Sequence, residues 1–181
     1  HSIDRGENKP VRQALRPQPL MMEKEIDAHL EEMLKVGSIS PSYSDWSSNV
    51  VMVRKHDGTL RFCVDYRKLN EKTFKDVYPL PRIDTCMDTL SGAVWYSTFD
   101  LRSGYHQVSL DPRDAPKTTF ITKRGSFQFN VLPFGLCNAP GTFQRLMDLV
   151  LAGMNYDICL VYIDDIIIFS KDLDSHFIRL E

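Results

Sequence analysis

The stretch Ile158-Cys159-Leu160-Val161-Tyr162-Ile163-Asp164-Asp165-Ile166-Ile167-Ile168-Phe169 sets two apolar runs around a pair of adjacent aspartates. Short runs rich in β-branched residues predict two strands. Ionised carboxylates beside buried strands lose hydration, and two of them repel each other. One reading is a hairpin turn with both side chains in water, although the pair lacks the glycine that a tight two-residue turn favours. The other reading looks for a third carboxylate. Asp100 qualifies, because it closes the apolar run 94–99 and precedes the polar turn Leu101-Arg102-Ser103-Gly104-Tyr105. Three carboxylates on neighbouring strands suit two hard divalent cations, which take oxygen ligands and share their remaining sites with phosphates. Local pattern alone leaves both readings open.

Working outward, residues 49–54 and 60–66 are β-rich runs joined by His56-Asp57-Gly58-Thr59, an Asp-Gly hairpin signal that brings Arg54, Lys55 and Arg61 near one tip. A second hairpin is expected from 117–122 and 127–131, turning at Lys123-Arg124-Gly125. Helices are expected over 21–36, stopped by Gly37, and over 139–151, with Asn138 as cap and Phe143, Met147 and Val150 facing inward. A further helix starts at Asp172, the first twenty residues run extended, and 43–48 is a loop. Hairpins outnumber βαβ units, so the fold class is α+β with an antiparallel sheet.

The 181 residues are 43 % hydrophobic and 25 % charged, which excludes disorder over most of the length. The net charge of −2 hides a split: 54–82 carries a local balance of +4, and 148–181 one of −5. No apolar run is long enough for a membrane span, and no P-loop or Gly-x-Gly-x-x-Gly turn is present. Cys63, Cys86, Cys137 and Cys159 are scattered and read as reduced thiols, with no zinc spacing. His29, His56 and His106 read as surface or turn histidines, and the methionines (Met21, Met22, Met33, Met87, Met147) as core filler.

Tyr162-Ile163-Asp164-Asp165 resembles the Tyr-x-Asp-Asp signature of reverse transcriptases. Four further blocks follow the family's order: 61–70 (RFCVDYRKLN), 78–81 (YPLP), 99–107 (FDLRSGYHQ) and 132–140 (LPFGLCNAP). The likeness runs from about residue 10 to the end and is closest in kind to the gypsy-type LTR retrotransposons (Metaviridae), relatives of retroviral enzymes. It implies the fingers and palm of a right-hand polymerase, an antiparallel palm sheet with helices packed on one face. Fingers are expected at 1–74 and 110–133, and palm at 75–109 and 134–181.

The resemblance implies roles residue by residue. Asp100, Asp164 and Asp165 match catalytic ligands for two Mg²⁺ ions, with Mn²⁺ an alternative and the Leu101 carbonyl completing a coordination shell. Arg61, with Lys55 or Arg54, matches the fingers cations that grip a dNTP. Tyr105 matches the aromatic that stacks under the sugar and excludes a 2′-hydroxyl, and Phe134-Gly135 matches the segment lining the nucleotide pocket. Retroviral relatives carry Gln where Phe134 stands, so that hydrogen-bonding role is not carried over.

The implied activity is RNA-directed DNA synthesis on a primed RNA or DNA template. A non-catalytic nucleic-acid-binding remnant of a retrotransposon polyprotein is the alternative. Family members continue into a thumb, connection and RNase H, within a polyprotein that also holds protease and integrase. The expected setting is the cytoplasm, inside virus-like particles. A piece without a thumb is expected to be weakly active and non-processive.

Overall fold

Ile26 and Leu30 recur at helical spacing and bury one face of α1 (Leu20–Lys35). Gly37, at φ +74°, ends it: the Gly37 and Ser38 N–H groups donate back to the Leu34 and Met33 carbonyls at 3.2 and 2.9 Å. The computed structural model describes all 181 residues, His1–Glu181. They divide into two compact units, His1–Lys75 with Tyr105–Ala139, and Asp76–Gly104 with Pro140–Glu181.

In the first unit α1 accompanies a five-stranded sheet built from β1 (Ile39–Pro41), β2 (Ser48–Arg54), β3 (Leu60–Val64), β5 (Phe120–Thr122) and β6 (Gly125–Phe129). The order is β1-β6-β5-β2-β3, antiparallel except where β2 runs parallel to β5. Phe120 is fully buried, with Phe62, Phe127 and Phe129 at ring separations of 5.4–6.0 Å. Tyr66 is buried beside this core, and its hydroxyl donates to the Thr118 carbonyl at 2.8 Å. The N-terminal arm has no regular helix, as expected, yet Ile3 and Val11 are buried and make it part of the core.

The second unit holds the sheet β4-β8-β7, formed by β4 (Trp95–Asp100), β7 (Cys159–Tyr162) and β8 (Asp165–Ser170), antiparallel throughout. Leu160 and Phe169 pack with Cys86 of α3 (Ile83–Leu90). Helix α4 (Ala139–Val150) buries Phe143 and Met147. Helix α5 (Leu173–Leu180) is capped by Asp172, which accepts from the Ser175 N–H at 2.8 Å. The α+β class and the antiparallel sheet are as expected.

Several local expectations are corrected. Val150 is exposed, one position beyond the buried stripe of α4. Lys117 and Thr118 belong to a 3-10 turn, Ala115–Thr118, so β5 starts only at Phe120. The hydroxyl of Thr118 donates to the Ala115 carbonyl at 2.7 Å and receives the Phe129 N–H at 3.0 Å, which holds that turn in place of a strand. Strand β1 and the short helices α2 (Arg67–Asn70) and α3 were not foreseen. Met21 and Met87 are exposed, and His29 lies half-buried against Phe62. Lys75 and residues 105–109 and 134–139, expected in the palm from sequence, group with the first unit. Backbone bonds from Leu132 to Val108 and from Leu110 to Asn130 tie the end of that segment to the residues after β6.

The Tyr66 hydroxyl is a clean probe of the first unit. Tyr66→Phe keeps the ring and strands the buried Thr118 carbonyl, at a cost of about 1–3 kcal/mol. The urea midpoint should fall while the denaturant slope stays unchanged; an unmoved midpoint would contradict the assignment.

Candidate metal and nucleotide site

Asp100 and Asp165 are directly opposed residues of β4 and β8, so they share one face of the sheet. Tyr162 pairs with Asp165, which makes Ile163-Asp164 the two-residue turn between β7 and β8. Asp165 is therefore the first residue of β8 and no part of the turn. Ile163 adopts φ +57°, a left-handed conformation that a β-branched residue takes only under constraint. The constraint is Gln144 of α4, which is fully buried and accepts the Ile163 N–H on Oε1 at 2.8 Å.

Asp164 points into the unit, and its Oδ1 is buried without a hydrogen-bond partner. Burial, then the Asp100 charge and then the Asp165 charge hold its carboxyl above the usual range. No three carboxylate, histidine or cysteine groups close into a ready-made metal cage. What the structure does supply is an orphaned buried oxygen facing two like charges, which fits a hard cation. Gly104 leaves room for it: a Cβ there would meet Phe143 at 3.0 Å and Asp164 Oδ1 at 3.3 Å. The Leu101 carbonyl accepts the Gly104 N–H at 3.2 Å, closing the turn after Asp100.

The other expected residues lie in the first unit. Arg54, Lys55 and Arg61 line one concavity at the tip of the β2–β3 hairpin, with Val53, His56 and Asp57. The tip is shaped by Gly58 at φ +85° and by the Lys55 N–H donating to the Thr59 carbonyl at 2.8 Å. None of the three cations is taken up in an ion pair, whereas Lys123 and Arg124 on the β5–β6 turn pair with Glu23 and Glu31 of α1. Tyr105 stacks on Phe134 with ring centroids 4.8 Å apart. Tyr105 is 7 % exposed and Phe134 is 41 % exposed, so the accessible ring of the pair is Phe134. Gly135, at φ +94°, is clamped by Asn70, whose amide donates to the Gly135 carbonyl at 2.8 Å and accepts the Cys137 N–H at 2.9 Å.

Three residues here escaped sequence reasoning: Gln144, Asn70 and Gly104. Only Gln144 carries a local signal, a polar residue on the inward face of α4 next to Phe143.

Residues 53–181 match the family model described as reverse transcriptase (RNA-dependent DNA polymerase). An RNA-directed DNA polymerase homolog from Oenothera berteroana is 46 % identical over 125 residues, covering 67 % of this chain and 88 % of that protein. Retrovirus-related Pol polyproteins from Drosophila melanogaster are also similar. That of transposon opus is 41 % identical over 91 % of this chain, and that of transposon gypsy is 39 % identical over 94 %. The chain spans 17 % of the length of each of these polyproteins. The native crystal structure of the prototype foamy virus protease-reverse transcriptase has the same fold, with a TM-score of 0.86 at 24 % identity over 99 % of this chain and 24 % of that one. A foamy viral protease-reverse transcriptase in complex with an RNA/DNA hybrid matches equally well, at 22 % identity.

Because the folded-state pKa of Asp164 lies above its unfolded value, its ionisation works against the fold. The stability is full below the unfolded value of 3.8 and is lost as pH rises through the raised one. In divalent-free buffer at pH 7, Asp164→Asn should therefore melt a few degrees above the parent, and the gain should vanish as the pH approaches 3.8. A lower or equal melting temperature at pH 7 would contradict the repulsion.

Proposed function

Because this chain belongs to the reverse transcriptase (RNA-dependent DNA polymerase) family, of LTR-retrotransposon type, we propose that it supplies the active-site portion of an RNA-directed DNA polymerase. The reaction is attack of a primer 3′-hydroxyl on the α-phosphate of a dNTP, directed by an RNA or DNA template. The observation that carries this reading is the orphaned Asp164 oxygen set against Asp100 and Asp165.

In this reading the second unit is the palm and the first the fingers. Asp100, Asp164 and Asp165, with the Leu101 carbonyl, hold two divalent cations, Mg²⁺ with Mn²⁺ as an alternative. Bound there, such ions activate the attacking hydroxyl and stabilise the leaving oxygen. The carboxylates themselves must arrive deprotonated, and the cations offset the repulsion that the fold otherwise bears. Arg61 and Lys55, with Arg54 beside them, bind the triphosphate: Arg presents a planar fork that suits phosphate oxygens, and Lys a point charge. Their lack of internal ion pairs leaves them available for it. Phe134 and Gly135 line the nucleotide pocket, and Tyr105 disfavours a 2′-hydroxyl by backing the exposed Phe134 ring on which it stacks.

The partners in this reading are a primed template, dNTPs and the other parts of a Pol polyprotein: thumb, connection, RNase H, protease and integrase. The setting is the cytoplasm, inside virus-like particles.

Extension of an oligo(dT) primer on poly(rA) with dTTP and Mg²⁺ or Mn²⁺ tests the reading. Incorporation should be detectable and should fall roughly 10²-fold or more in Asp164→Asn. No incorporation, together with salt-sensitive template binding, would favour a binding remnant; incorporation that survives Asp164→Asn would remove the carboxylates from the chemistry. Tyr105→Ala should raise rNTP use relative to dNTP, and unchanged discrimination would cancel the gate assignment.

A further inference from the structure

Behind the aspartate turn, Asp148 of α4 accepts three hydrogen bonds. Its Oδ2 takes the Tyr78 hydroxyl at 2.6 Å, and its Oδ1 takes Gln144 Nε2 at 3.0 Å and Asn155 Nδ2 at 3.1 Å. Gln144 Nε2 also reaches the Val161 carbonyl at 3.4 Å, while Asn155 Oδ1 accepts the Val161 N–H at 3.3 Å. Both backbone groups of Val161, on the strand leading into the turn, are thus held by the same cluster. Tyr78 is itself fixed: Arg145 lies 4.6 Å over its ring and pairs with Asp76 at 2.8 Å. The bond to Asp148 raises the Tyr78 hydroxyl above its ordinary range and keeps it a donor.

The chemistry of the amide makes Asp148 more than a structural neighbour. A glutamine side chain has a donor end and an acceptor end, and Ile163 N–H needs the acceptor. An ionised carboxylate only accepts, so Asp148 compels Gln144 to turn Nε2 toward it and leaves Oε1 for Ile163. A side chain without an acceptor at position 148 would leave Nε2 only the 3.4 Å bond to the Val161 carbonyl, and the orientation of Gln144 would be less firmly set. The bond that balances φ +57° at Ile163 would then weaken.

We infer that Asp148 is a positioning residue for the Asp164 carboxylate, acting through the orientation of the Gln144 amide, with Tyr78 and Asn155 holding Asp148 in place. The inference rests on the reading of Asp100, Asp164 and Asp165 as cation ligands. It adds a group outside that cluster on which cation affinity depends.

Mn²⁺ titration of the 181-residue chain, followed by the electron paramagnetic resonance signal of the free ion, tests it without turnover. Asp148→Leu, close in shape but without an acceptor, should weaken Mn²⁺ binding about tenfold, in the range typical of groups that orient metal ligands, with an unchanged far-UV circular dichroism spectrum. Asp148→Asn keeps one oxygen for Gln144 Nε2 and Asn155 Nδ2 while the Tyr78 hydroxyl turns to accept from its amide, and should retain most of the affinity. Unchanged binding in Asp148→Leu, or an equal loss in Asp148→Asn, overturns the proposal. If Asp148→Leu fails to fold, Tyr78→Phe removes one donor to Asp148 and adds none; a loss of a few fold supports the proposal, and none overturns it. Asp164→Asn separates the two levels. If it binds Mn²⁺ like the parent, the cation site falls and the proposal with it; if it loses binding while Asp148→Leu keeps it, the proposal alone falls.

Discussion

Like charges set side by side resist being brought together, and the second unit is organised around that resistance. Asp100 and Asp165 are locked opposite each other by the β4–β8 ladder, and Asp164 is turned inward beside them with one oxygen left unpartnered. Pairing along β4 and β8 supplies rigid frames on both sides of the charges. The turn between β7 and β8 then has to take a left-handed residue where glycine would ordinarily sit. Ile163 takes that conformation because a buried glutamine accepts its N–H, and the glutamine is in turn oriented by a carboxylate. Stability is spent locally so that acceptor oxygens stay free.

The first unit handles charge in the opposite manner. Its aromatic centre around Phe120 and its buried Tyr66–Thr118 bond make a firm base for two hairpins with basic tips. At the β5–β6 turn the cations are neutralised by acids of α1, which fastens that hairpin to the helix. At the β2–β3 tip they are left without partners, on a loop shaped by Gly58. Unpaired cations on a slender hairpin are suited to gripping a polyanion and letting it go.

Legibility in the sequence followed the range of the forces involved. Both hairpins, the helices α1 and α4, and the strand ending at Asp100 were legible because alternation, helical spacing and turn residues are local signals. Strand β1 was not, since its three residues become a strand only by pairing with β6. The 3-10 turn at 115–118 replaced the expected start of a strand because the Thr118 hydroxyl bonds backbone groups on both sides, one of them in β6. Val150 looked like core because helical periodicity gives the apolar side of a helix but not where its neighbours end. Asn70 and Gly104 lie within motif blocks, but nothing local marked their roles, which lie in what they touch across the chain.

The order of motifs along the chain and the charge of its parts were determined by the sequence alone, and with them the family and the identity of the candidate ligands. Which residue occupies the turn was decided by tertiary structure: the register of Tyr162 with Asp165 puts Ile163 and Asp164 there and leaves Asp165 on the strand. So was the inward aim of Asp164, the burial of Tyr105 beneath Phe134, and the Gln144–Asp148 brace. Each depends on hydrogen bonds and contacts between residues distant in the chain, and burial converts those contacts into orientation because a buried polar group must either find its partner or bear the cost of lacking one.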